Sequence, residues 1–524
     1  MTTTTLASRP SPAAGRPGTQ TPTRTRTGAP TRTQSTRPGV VTAVVCLALA
    51  AVVAAMSSLN VALPGIARAT HATQTQLAWI IDAYSLVFAS MLLPAGAIGD
   101  RYGRRLALIA GLMIFGGASA VAMTAHSAGE LIGLRAVMGL GAALVMPATL
   151  STITGTFADE QRTRAVSVWA AVAGGAAVLG PLVSGLVLEV WSWPSVFGLN
   201  VILATAAVAG TIRFVPESAE HHTPRLDLTG ALLAVTGLVA LVYSIIEAPG
   251  QGWTSARTLS GLAVGLVILV GFVAFERHRR APMLDPRVFA RRGLAAGSLS
   301  IFVQFLALFG FIFIVLQYLQ LIRGDSGLVS AVSMLPMAAA MIPAARLAPA
   351  IAARLGARTT CVTGLALIAA AMVILAQLTP ASSYWLLVAG LIPLGAGMGL
   401  ATTPATSGIT SALPAARQGV GSALNDLSRE LGGAVGIAVL ASLLTGAYQS
   451  HLHLTGATHL PAARVSLARS SVAVATHLGG TVAAQAQSAF ADGMHLALYV
   501  AAGIVTAAAA GVATLLRRRA NQVH

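Results

Sequence analysis

Ionisable side chains are scarce in this sequence, and a few stand deep inside apolar runs. Asp82 lies in Trp79-Ile-Ile-Asp82-Ala-Tyr84-Ser-Leu86, Arg135 in Leu134-Arg135-Ala-Val-Met138-Gly139, and Asp426 and Glu430 in Asn425-Asp426-Leu-Ser-Arg429-Glu430. A charged carboxylate at the centre of a membrane helix costs about 2.5 to 3.5 kcal/mol on insertion scales, so such an acid must face a cavity, find a partner or take up a proton. A group that alternates between charged and neutral forms is what a proton carrier needs, and Asp82 is the leading candidate. The plainer alternative is a polar residue facing water near one membrane surface. Arg135 keeps its charge at physiological pH; it cannot carry the proton but can tune a nearby acid or hold water, unless it snorkels to a surface. Asp426 and Glu430 are four residues apart and share one helical face, which suits a substrate or proton site. Near a helix start they would instead be solvated charge beside Arg429. Trp79 and Tyr84 flank Asp82, and Phe302, Phe305, Phe309 and Phe313 recur at helical spacing. Of these, Trp79, Tyr84, Phe305 and Phe309 are pocket candidates, against the commoner role of core or lipid-facing packing.

The elements that hold these residues follow from composition. Of 524 residues 55% are hydrophobic and 9% charged, against the roughly 25% charge of soluble domains. Apolar stretches of about the twenty residues needed to span a bilayer fall at 40–64, 76–99, 106–125, 129–152, 164–188, 196–215, 226–246, 259–275, 294–319, 328–345, 359–378, 384–412, 418–447 and 494–516. Lipid cannot satisfy a free backbone, so these are fourteen helices. All 33 basic residues are Arg, and 27 of them fall on one side of the alternating spans, which places both termini in the cytoplasm. The net charge of +17 reflects this asymmetry and not a nucleic-acid partner. The absence of Lys rules out a Walker A phosphate loop and Schiff-base chemistry, so energy must come from an ion gradient or from the substrate's own.

Cys46 and Cys361 lie in apolar runs without zinc or disulfide spacing, and no nucleophile or metal motif suggests an enzyme or a cofactor. His451, His453, His459 and His477 could sense pH or bind metal, although a wet polar loop explains them as well. Residues 1–38, rich in Thr, Arg, Pro and Ser without an acid, read as a disordered cytoplasmic tail, too polar for a signal peptide. Proline and charge at 216–225 and 276–292 set off two spans. The expected organisation is a six-helix bundle at 39–215, a two-helix insert at 226–276, and a six-helix bundle at 294–517 with a long external loop at 448–490.

Four stretches carry a resemblance. Gly96-Ala-Ile-Gly-Asp100-Arg101-Tyr-Gly103-Arg104-Arg105 resembles, in spacing and type, the loop between the second and third spans of the major facilitator superfamily, with a faint echo at Arg354-Leu-Gly356-Ala-Arg358 that lacks the Asp. Gly180-Pro181-Leu-Val-Ser184-Gly185 resembles the fifth-span signature of facilitator antiporters. The segment around Asp82 is similar to the second span of quaternary-ammonium and multidrug exporters, and that around Arg135 resembles the fourth-span motif with Met138 in place of the usual Gln. At Ala55 the branch usually has an Asp.

The resemblance implies an all-α integral membrane protein with a major facilitator fold: two six-helix bundles plus the insert, fourteen transmembrane helices, with substrate held between the halves near midplane. It further implies a proton-coupled exporter of amphipathic or lipophilic compounds in the cytoplasmic membrane. Asp82 and Arg135 would serve coupling, and the 96–105 turn would act as a cytoplasmic gating loop. Lipid bilayer, a small amphipathic molecule and protons would be the partners, with a monomer as the working unit. A dedicated exporter of one natural product, and a non-transporting receptor or scaffold, are the rival readings.

Overall fold

The computed structural model describes residues 38–157, 159–217, 227–279, 286–412, 418–452 and 461–516; a few helical side chains, Asp100 among them, lie outside the described set. The tail at 1–37, His453 and His459 also lie outside it. The described residues are mostly helical, with short connections between helices and no strand among them.

The helices are α1 (Pro38–Thr70), α2 (Gln74–Tyr102), α3 (Arg104–Ala122), α4 (Ala128–Thr156), α5 (Asp159–Val190), α6 (Pro194–Phe214), α7 (Leu228–Gln251), α8 (Ala256–His278), α9 (Arg292–Gln317), α10 (Gly327–Ser333), α11 (Leu335–Leu355), α12 (Ala357–Leu375), α13 (Tyr384–Ser411), α14 (Gln418–His451), α15 (Ala462–Ser470), α16 (Val472–His477) and α17 (Gly480–Leu515). Among the described residues thirteen spans, with α10 and α11 forming one, are long and apolar enough to cross a membrane. The 32-residue α5 contributes a shorter apolar stretch, Gly175–Val190. The chain is therefore a multi-pass membrane protein.

Local chemistry sets the helix starts. Thr73 Oγ1 accepts the Gln76 amide (3.2 Å) while Gln76 Oε1 accepts the Thr73 amide (2.9 Å), a reciprocal cap that satisfies two otherwise orphan donors at the start of α2. Asp227 Oδ1 caps α7 with a single bond, accepting the Gly230 amide at 2.8 Å.

One pairing scheme appears twice. In the first six helices α2 lies on α4, α3 on α4 and α6, and α1 on α5 and α6. In the last set α11 lies on α13, α12 on α13 and α17, and α9 on α14 and α17. The two sets meet where α2 packs on α14 and α5 on α10, and α7 packs on both α2 and α14. Helix α8 pairs with α7 and leaves Leu259, Leu266, Val267 and Val270 exposed.

Several helices outrun the apolar stretches that predicted them. The seventh continues past 246 to Gln251 and so takes in Glu247, and α11 continues to Leu355, so Arg346 stands within a helix and not in the loop after it. The stretch 448–490, expected as a long loop, instead contains the end of α14, all of α15 and α16, and the start of α17. The physical reason is shared. A membrane helix keeps its backbone hydrogen bonds through the polar interface, where the side-chain pattern no longer looks apolar.

Candidate functional site

Asp82 sits in the third turn of α2 and is fully buried. Among the described residues neither of its carboxylate oxygens meets a hydrogen-bond donor. A buried polar atom left in that state costs about 1 to 3 kcal/mol, and more when charged. The site therefore favours an Asp82 that carries a proton. Arg135 is also buried, at 1% exposure, but it does not pair with Asp82: its Nε donates to the Ile80 carbonyl (2.9 Å), and its guanidinium carbon lies 4.2 Å from the centre of the Tyr84 ring. The Tyr84 hydroxyl donates to the Val52 carbonyl of α1 at 3.1 Å. Arg135 and Tyr84 thus hold α4, α2 and α1 together beside the acid. Trp79, one turn before Asp82, donates its indole N–H to Glu247 Oε1 at 3.0 Å. The apolar reading of the seventh span stopped one residue short of this acid, so sequence reasoning missed it.

In α14, Arg429 bridges the two acids, with Nη2 3.5 Å from Asp426 Oδ1 and Nε 3.2 Å from Glu430 Oε1. Asp426 and Arg429 are partly exposed, whereas Glu430 is buried and its Oε2 meets no donor among the described residues. The triad is thus an internal ion cluster, and Arg429 is not a free solvated charge. Its guanidinium also lies 5.8 Å from the centre of the Phe305 ring, and Phe305 stacks on Phe309 at 6.0 Å. The aromatic stripe splits here. Phe305 and Phe309 are half-buried beside the ion cluster, while Phe313 is packed in the core.

The 96–105 turn is built around Gly103, at φ +116°. A β-carbon there would meet the Glu217 carboxylate at 2.6 Å, so both the conformation and the close approach require glycine. Glu217, which follows α6, accepts the Arg105 amide at 3.2 Å, and Arg105 Nη2 donates to the Ile212 carbonyl at 2.6 Å. The Arg104 guanidinium lies over Gly155 of α4, Gly96 faces Pro147 of α4, and Arg101 is exposed. These contacts all stay within the first six helices. Asp100 closes the last turn of α2, with its side chain outside the described residues.

Gly180 lies directly on Ala54 and Ser57 of α1, next to Pro181 inside α5, and Ala55 of α1 is buried. Gly185 meets the other set of helices: a β-carbon there would lie 2.8 Å from the Leu328 Cα of α10. Gln320 Nε2, in the π-helical turn Tyr318–Ile322 that ends α9, donates to the Val61 carbonyl of α1 at 3.0 Å. These contacts between the two sets lie at the end of the helices opposite the 96–105 turn.

A family model described as Major Facilitator Superfamily matches residues 45–437. The methyl viologen resistance protein SmvA of Salmonella typhimurium is 35% identical over 80% of this chain and 84% of its own length. The multidrug efflux pump LfrA of Mycolicibacterium smegmatis is 34% identical over 81% of this chain and 84% of its own length. Among solved structures, an inward-facing, unoccupied bacterial homologue of the human lysosomal transporter Spinster aligns with a TM-score of 0.63 at 16% identity, covering 91% of this chain and 96% of that one. A buried acid in the second helix, a glycine-dependent basic turn and a helix scheme used twice go together with these likenesses, and the chain belongs to the major facilitator superfamily.

Proposed function

We propose that this chain is a secondary efflux transporter that exchanges amphipathic or lipophilic compounds for protons across the cytoplasmic membrane, working as a monomer with both termini in the cytoplasm. The observation that carries the reading is Asp82, a wholly buried acid in a membrane helix whose oxygens meet no donor among the described residues. A group so placed is neutral when sealed and can ionise only when its surroundings open, which is the behaviour that coupling to a proton requires. In this reading, a conformation with the two sets of helices joined at the end opposite the basic turn loads a compound from the cytoplasm. When the far end opens, a proton reaches Asp82, and the basic turn closes the cytoplasmic side by exchanging its contacts with α4 and Glu217 for contacts with the other half.

The absence of Lys removes the usual nucleotide motor. One charge moved through 100 mV supplies about 2.3 kcal/mol, enough for roughly a fiftyfold gradient of exported compound. The test uses full-length protein in liposomes with an imposed pH gradient and a fluorescent lipophilic dye. Asp82→Asn is expected to fold and insert while losing pH-driven efflux, and undiminished transport would remove Asp82 from the coupling. Competition by chemically unrelated compounds is expected for a broad pump; its absence would favour a dedicated exporter of one product.

A further inference from the structure

The two insert helices are more than an appendage. On α7, Tyr243 and Glu247 are four residues apart and share one face, and that face meets Trp79. Besides the hydrogen bond from the indole to Glu247, the Trp79 and Tyr243 rings lie 5.7 Å apart, tilted by 46°. Trp79 precedes Asp82 by three residues, so both project from one side of α2. On its other flank α7 is tied to α14, where the Ser442 hydroxyl donates to the Ile245 carbonyl and Gly446 faces the indole of Trp253 in the turn after α7. Helix α14 also carries Asp426 and Glu430. A single helix of the insert therefore grips the two helices that bear the buried acids of the two halves, at the end of the molecule where those halves are joined.

We infer that α7 is a clasp across this seam, with Glu247 as the positioning residue that holds Trp79 and thereby keeps the Asp82 turn of α2 sealed. The inference rests on the efflux reading for its consequence but on the contacts of α7 for its substance. Admitting a proton to Asp82 requires α2 to part from α14, and a helix bonded to both must release one of them. The Ser442 tie is buried and ends on a backbone carbonyl, whereas the Trp79–Glu247 bond is part-buried and runs between two side chains, so it can break by side-chain rotation alone. The clasp thus stays with α14 and lets go of α2. Glu247 touches neither substrate nor proton in this scheme; it acts through Trp79.

The test uses full-length protein in liposomes and compares Glu247→Ala, Glu247→Gln and Trp79→Phe. The direct readout is modification of Asp82 by dicyclohexylcarbodiimide, a lipophilic reagent for protonated carboxyls, followed by mass spectrometry. Glu247→Ala and Trp79→Phe are each expected to raise the labelling rate at least threefold, and the double variant is expected to add nothing further, since both remove one bond. Glu247→Gln keeps an amide oxygen that accepts the same indole N–H and is expected to label like the natural protein. A general loss of packing would lower the melting temperature of all three variants without that rescue.

Unchanged labelling in Glu247→Ala and Trp79→Phe would overturn the clasp, as would a Glu247→Gln variant as open as Glu247→Ala. Should the natural protein move no dye under an imposed pH gradient, the efflux reading fails while the labelling comparison still decides whether α7 seals Asp82.

Discussion

Asp82 and Glu430 present the same chemical situation on two helices that touch. Each is a buried acid with at least one oxygen that no donor reaches among the described residues, but Glu430 shares Arg429 with Asp426 while Asp82 has no cation of its own. The two should therefore fail differently. Glu430→Gln keeps the size of the side chain and an acceptor for Arg429 but leaves Asp426 as the only charged partner of the guanidinium, so turnover is expected to fall about tenfold, the effect of roughly 1.4 kcal/mol on a barrier, with pH-driven transport retained. Efflux rates in vesicles at several dye concentrations would check this, and complete loss of coupling would move the proton site to Glu430. Much of this residue-scale picture is legible in the sequence, because an acid inside an apolar run is visible without coordinates. The pairings are not. Arg135 could have faced Asp82 by position alone, yet it turns to the Ile80 carbonyl and the Tyr84 ring. In the sequence Glu217 is only one charge in a boundary segment; the one hint of its role is Gly103, whose freedom from a side chain makes room for it.

The helices themselves follow from runs of apolar residues, but their ends do not. Hydropathy stops where the side chains become polar, whereas the helix stops where a cap or a turn ends its hydrogen bonding, and Glu247 and Arg346 fall in the difference. Where a cap is charged, its contribution depends on pH. Asp227 caps α7 and pairs with Arg279 beyond the end of α8 at 3.1 Å. Burial pushes its carboxyl upward, but the Arg279 guanidinium and the Gly230 amide outweigh this and hold it below the ordinary carboxylate value. A lowered folded-state value means that the bond stabilises the α7–α8 pair fully above the unfolded value, near 4, and that this stability is lost as pH falls through the folded value. Arg279 is half-exposed, so solvent screens the pair and the effect is small. Asp227→Asn keeps a capping oxygen and drops the charge. Its melting temperature in detergent is expected to fall less than that of the natural protein between pH 5 and pH 3. Equal falls would mean that the ion pair contributes nothing.

At the scale of the whole molecule, the family could be read from the basic turn and the fifth-helix glycines, and the comparisons bear it out. The duplicated pairing scheme could not be read, because contacts between helices of similar composition leave no periodic trace in a chain so uniformly apolar. The place of the insert was equally hidden: nothing in 226–276 announces that one of its helices lies in the seam between the two halves and the other largely outside it. That asymmetry predicts that transport responds to bilayer thickness. Helix α8, 23 residues long and exposed along most of its length, spans about 34 Å against a hydrocarbon core of about 30 Å, and a mismatch costs fractions of a kcal/mol per ångström. Tilting it pulls on α7, its only close neighbour among the transmembrane helices described. Transport in vesicles of increasing acyl length should pass through an optimum, and that optimum should flatten in Glu247→Ala, where the pull reaches α2 only through packing and the Tyr243 ring.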